Sequence, residues 1–84
     1  MRRYSSYGTR ELVSLLNCLG YKAEPQVGSR HLKYTCPNKV DKGVMTFILV
    51  MQGMREFDPY WQREYIKQIR RHQFTTDQID TCFP

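Results

Sequence analysis

The sequence predicts an α+β domain in which a helix, three antiparallel strands and a second helix follow in order, with a short extra helix at the C-terminus. Three observations predict it. Leu12, Leu15, Leu16 and Leu19 recur at i, i+3, i+4 and i+7, one buried helical stripe. Residues 44–51 are the most hydrophobic run, with Val44, Phe47, Ile48, Leu49 and Val50, and a run this short and β-branched is best read as a central strand. Asp58-Pro59 then opens a segment with Trp61, Tyr65, Ile66 and Ile69 on one helical arc and Arg63, Lys67, Arg70 and Arg71 on the opposite one. Connections too short for crossovers make the strands antiparallel. Both helices are expected on one sheet face, leaving the other open.

Each element has its own signals. Residues 1–7 read as a polar, frayed lead-in. Thr9 is a suitable N-cap, Glu11 sits where the helix dipole favours an acid, and Gly20 is a natural left-handed residue after a helix over 9–19. Residues 21–27 form a first strand, kept short or at an edge by Pro25. Gly28-Ser29 is turn chemistry. In a strand over 31–36, His31, Lys33 and Thr35 share one face and Leu32, Tyr34 and Cys36 the other. Residues 37–43 and 52–57 are loops. The second helix runs over about 59–73, and His72 projects to its apolar side near the C-terminus, a packing or dipole-compensating position. Thr75 and Gln78 are spaced as a capping box, so a last helix spans 76–81 and docks through Ile79 and Phe83.

Eighty-four residues make one small domain with a thin core. A net charge of +5 points to an anionic partner, nucleic acid ahead of membrane. No apolar run has the length of a membrane span. Arg2 and Arg3 are not followed by an apolar core of the signal-peptide kind, so a cytosolic protein is expected. Cys18, Cys36 and Cys82 are odd in number and share no CxxC spacing. They read as free thiols in a reducing compartment, with neither a disulfide framework nor a metal or cofactor expected.

Three pieces of the chain resemble the HicA toxins of toxin–antitoxin pairs. Arg10-Glu11-Leu12-Val13-Ser14-Leu15-Leu16 with Gly20-Tyr21 is similar to the family's opening helix. Gly28-Ser29 followed by His31-Leu32-Lys33-Tyr34 is similar to its glycine–serine–histidine hairpin. Ile66-Lys67-Gln68-Ile69 through Phe74-Thr75-Thr76-Asp77-Gln78-Ile79 is similar to its second and terminal helices. The resemblance covers residues 9–79. It implies a double-stranded-RNA-binding-domain-like fold, cleavage of messenger RNA without a metal, and a HicB-like antitoxin as partner. One departure matters: Arg30 stands directly after Gly28-Ser29, where the family has its histidine. Ungapped alignment puts Arg30 in the catalytic place and Lys33 at an aromatic core position. One inserted residue at the turn restores His31 and Tyr34 to those places. A one-residue slip flips a strand's faces, and the hydrophobic pattern, with Leu32 and Tyr34 inward, favours the insertion. The loop over 52–57 also departs from the family's basic, glycine-containing connection.

Metal-independent RNA cleavage needs a base for the 2′-hydroxyl, an acid for the 5′-oxygen and positive charge at the phosphate. His31 is the candidate acid/base, with Gly28, Ser29, Arg30 and Lys33 beside it and Arg63, Lys67 and Arg70 as an RNA-binding rim. Tyr60 could stack a base, whereas Trp61 reads as a core anchor. Two rival readings are a non-catalytic RNA-binding module, with Arg30 in the histidine place, and a protein-interaction domain using the open sheet face.

Overall fold

A computed structural model describes residues 4, 6–25 and 30–84 of the chain. Its elements are α1 (Thr9–Cys18), β1 (Lys22–Glu24), β2 (His31–Thr35), β3 (Phe47–Met51), α2 (Pro59–Arg71) and α3 (Thr76–Cys82). The strands form one antiparallel sheet in the order β1-β2-β3, so β2 is the central strand and β3, expected there from its apolar run, lies at an edge. Only Ile48 and Val50 of that run are fully buried. This is the helix–three strands–helix order with a terminal helix that the patterns predict.

One face of the sheet carries the core. Tyr34, Ile48 and Val50 are buried in a single cluster with Leu12, Leu15 and Leu16 of α1, Tyr65 and Ile69 of α2, and Ile79 of α3. Period-2 alternation puts Leu32 on that face too, and His31, Lys33, Thr35, Phe47 and Leu49 on the other. The strands are shorter than their apolar runs. Val44 N–H donates to Asp41 C=O at 3.1 Å, closing a turn that keeps residues 41–44 out of β3. β1 is three residues long, ends at Glu24 directly before Pro25, and lies at the sheet edge, as Pro25 predicts.

The start of α1 differs from the expectation. Gly8, not Thr9, is the N-cap, and Glu11 Oε1 accepts from its N–H at 2.8 Å. Thr9 is used elsewhere: its N–H donates to Met54 C=O at 2.8 Å, and its hydroxyl donates to Met51 C=O while accepting from Met54 N–H. This stitching presses the loop after β3 onto the helix start. A Cβ on Gly8 would fall well inside contact distance of the Met54 and Arg55 carbonyl oxygens. Backbone so pinned cannot yield cheaply. Gly8→Ala is therefore expected to destabilise the protein by at least about 2 kcal/mol, read as a lower urea midpoint at unchanged slope.

Tyr7, expected in a frayed lead-in, is buried against Phe57 and Phe83. Its hydroxyl donates to Gln62 C=O, and Phe57 N–H donates to its carbonyl at 2.9 Å. Burial, with Tyr65 close by, pushes the Tyr7 phenol well above its ordinary pKa, so it stays a donor. Tyr4 packs on Phe83 and donates to Asp80 Oδ1. Two aromatic rings suffice to draw this polar-looking segment into the core.

α2 ends where Gln73 turns left-handed, at φ 72°. Glycine holds the corresponding position after α1, where Gly20 has φ 92°. Gln73 therefore bears a steric cost that glycine would not. Gln73→Gly is expected to raise stability by roughly 0.5–1 kcal/mol, a gain visible as an increased unfolding midpoint. A loss would mean that the 3.4 Å contact from Gln73 Nε2 to Asp41 Oδ2 outweighs the backbone term. α3 begins with the predicted capping box: Thr75 N–H donates to Gln78 Oε1 at 2.8 Å and Gln78 N–H to Thr75 Oγ1 at 3.1 Å.

The cysteines correct the free-thiol expectation. Cys18 at the end of α1 and Cys82 at the end of α3 form a disulfide across 64 positions of sequence. Only the three-dimensional approach of the two helix ends brings them together. Cys36 is the free cysteine of the described residues. No helix is long and apolar enough to cross a membrane.

Candidate functional site

His31 opens β2 and is exposed, opposite Met51 of β3. Leu32 and Tyr34, the residues of opposite phase, face the helices, and Tyr34 is only 6 % exposed. Lys33 shares the face of His31. Its Nζ lies 4.6 Å from the centre of the Phe47 ring, a cation–π contact that holds the cation on the sheet face. Glu24 pairs with Lys33 across β1 and β2, and Thr35 Oγ1 donates to Glu24 Oε1 at 3.5 Å. Arg30 is exposed, and its carbonyl accepts from Gln52 N–H at 3.3 Å, extending the β2–β3 ladder by one pair. Gly28 and Ser29 lie outside the described residues.

The basic residues of α2 divide. Arg63, Lys67, Arg70 and Arg71 are all exposed. Arg63 and Lys67 lie on the side of α2 away from the core. Arg70 turns towards α3, its Nη1 donating to Thr76 Oγ1 at 3.0 Å. Arg71 instead lines a cleft of about 440 Å³ with Phe47, whose side chain belongs to the open sheet face. Thus β2 brings His31 and Lys33 together, and Arg63, Lys67 and Arg70 stand apart from them. Tyr60 is 58 % exposed and meets Trp61 edge-on at 5.3 Å, while Trp61 is half-buried against Tyr65.

Comparison with known protein families, with curated proteins and with solved structures yields no match. Site chemistry therefore rests on the residues themselves.

The second histidine is structural. His72 is 2 % exposed. Its Nε2 is 2.7 Å from Met45 C=O, which can only accept, so Nε2 carries the proton. Nδ1 then accepts from the Tyr21 hydroxyl at 2.7 Å. Burial first, and the adjacent Cys36 thiol second, push the Tyr21 phenol far above its ordinary range and keep it a donor. Asn38 Nδ2 donates to His72 C=O at 2.9 Å. This network ties the loop before β3 to the end of α2 and so fixes one end of the cleft. The helical arc places His72 on the apolar side, but no sequence spacing foretells its partners Tyr21 and Met45. Glu64 and Gln68 of the same cleft carried no signal either, because each reads as a solvated helix position. Among the described residues no three His, Cys, Asp or Glu side chains gather into a metal site.

Proposed function

We propose that the chain is a HicA-like RNA-binding toxin with a double-stranded-RNA-binding-domain-like fold, which cleaves messenger RNA using His31 as general acid/base. The observation that carries this reading is the phase of β2. Leu32 and Tyr34 face the core, so His31 projects from the open face beside Lys33. That phase agrees with the register in which one residue is inserted at the turn and His31 takes the family's histidine place. In the proposed step His31 takes the 2′-hydroxyl proton, the 2′-oxygen attacks phosphorus, and the P–O5′ bond breaks as the 5′-oxygen takes a proton from water, giving a 2′,3′-cyclic phosphate and a 5′-hydroxyl end; His31 returns its proton to solvent. Lys33 and Arg30 offset the charge that builds on the phosphate. Gly28 and Ser29 are proposed RNA contacts by the resemblance, and Arg63, Lys67 and Arg70 would contact phosphates at the rim. A HicB-like antitoxin is the proposed protein partner, covering the face of His31.

The test is cleavage of a single-stranded messenger RNA by the purified protein, beside His31→Ala and in the presence of chelator. Growth arrest on expression is the cellular readout. Undiminished cleavage and arrest by the variant would overturn the assignment. Salt-sensitive binding without cleavage of any RNA would select the non-catalytic RNA-binding module instead.

A further inference from the structure

β3 is an edge strand, and its outer edge is closed at two places by α2 and open between them. The flanking ladder bonds fix which groups face outward. Cys36 N–H donates to Thr46 C=O and Gln52 N–H to Arg30 C=O. Even-numbered residues of this stretch therefore turn their main-chain groups to β2, and Phe47, Leu49 and Met51 turn theirs away. At one end His72 Nε2 takes Met45 C=O. At the other, the Tyr65 hydroxyl donates to Leu49 C=O at 3.0 Å and accepts from Met51 N–H at 3.1 Å. Phe47 N–H, Phe47 C=O and Leu49 N–H lie between these closures, with no outer-edge partner among the described residues.

This open stretch borders the cleft that Phe47 shares with Glu64, Gln68 and Arg71. Those three helix residues are spaced i, i+4 and i+7, so they form one wall. Because Tyr65 meets Leu49 and His72 meets Met45, α2 runs antiparallel to β3. Glu64 thus stands towards the Leu49 end and Arg71 towards the Met45 end. Seven helical positions span roughly 10 Å, the length of about three extended residues.

We propose that this cleft binds a short extended peptide of about three residues with free termini. The peptide runs alongside β3 as an added strand, its α-ammonium at Glu64 and its carboxylate at Arg71. That direction is antiparallel to β3, so its central residue exchanges two hydrogen bonds with Phe47. The closures by Tyr65 and His72 limit the length, because a longer strand meets both side chains. Charge complementarity sets the direction, and the edge groups set the demand for a peptide main chain. The site is independent of the ribonuclease reading: Met51, opposite His31, lies at the far end of β3 from Met45.

The experiment is titration of ¹⁵N-labelled protein with trialanine. Saturable shifts centred on the Phe47 and Leu49 amides are expected, with slower hydrogen exchange at Phe47, whose N–H donates to the central peptide residue. Trialanine acetylated at its N-terminus and amidated at its C-terminus should bind up to roughly five-fold more weakly per charge removed. Glu64→Gln should abolish the preference against N-acetylation alone, and Arg71→Gln the preference against C-amidation alone. Both changes leave the buried core untouched. N-methylation of the central peptide nitrogen should remove binding without altering the protein. Absence of saturable shifts at the solubility limit, equal binding of the fully blocked peptide, or equal binding of the N-methylated one would each overturn the proposal. Guanosine 5′-monophosphate moving these amides while trialanine does not would also overturn it, and would assign the cleft to a nucleotide.

Discussion

Replacing His31 by alanine is expected to lower RNA cleavage by roughly 10²- to 10⁴-fold, the ordinary contribution of one proton-transferring side chain. Fold and RNA affinity should change little. His31 lies outside the core cluster, at the first position of β2, and the residues that bury that strand are Leu32 and Tyr34. Affinity should instead follow the cations. Lys33→Ala should weaken binding and flatten its dependence on salt, since each lost phosphate contact lowers the slope by about one. The two variants therefore separate chemistry from docking: one loses rate at constant affinity, the other loses both. Partial rescue of His31→Ala by added imidazole would mark a missing proton carrier, because a merely structural histidine is not replaced by a free ring in solution. Loss of affinity in His31→Ala equal to the loss of rate would reduce the residue to an RNA contact. Arg30→Ala discriminates the two registers. If Arg30 held the catalytic place, its loss would be the more damaging of the two.

The parts of the fold legible in the chain are those set by local physics. Four leucines at helical spacing, an acidic residue and proline at 58–59, and the Thr75–Gln78 box each act within one or two turns, so each can be read without its tertiary partner. The alternation around Leu32 and Tyr34 worked for the same reason, since one buried face suffices to set a strand's phase. Elements failed to be legible where the deciding contact is distant. Thr9 has the chemistry of an N-cap, yet Met51 and Met54, more than forty positions away, recruit its hydroxyl and leave the cap to Gly8. Tyr7 looks like polar lead-in until Phe57, Gln62 and Phe83 surround it. The candidate site divides the same way. His31 and Lys33 share a face by period alone, whereas the cleft needs α2 laid against the β3 edge, which no pattern in residues 59–71 specifies.

Reduction of the Cys18–Cys82 bond is expected to cost about 4 kcal/mol of unfolding free energy, the loop-closure entropy restored to an unfolded chain cross-linked across 64 positions. An 84-residue domain holds in total something on the order of 4–12 kcal/mol. The bond is thus comparable to the whole margin of stability. Its position concentrates the loss. Cys82 ends α3, which seats Ile79 in the core, and the next residue, Phe83, packs against Tyr4 and Tyr7. Releasing it frees the C-terminal helix and uncovers the N-terminal tyrosines together. Urea unfolding with and without reductant measures the effect, and Cys18→Ser with Cys82→Ser should reproduce the reduced curve. Cys36→Ser is the control, since that thiol is outside the bond. Coincident oxidised and reduced midpoints would show that packing of Ile79 and Phe83 holds α3 without the bond. The same measurement bears on where the chain works. Disulfides persist in oxidising compartments and are rare in the cytosol. If the reduced protein unfolds at growth temperature, a toxin acting on cytosolic messenger RNA would lose its active form there. If it stays folded, with α3 still docked, the cytosolic expectation is compatible with both cysteines reduced.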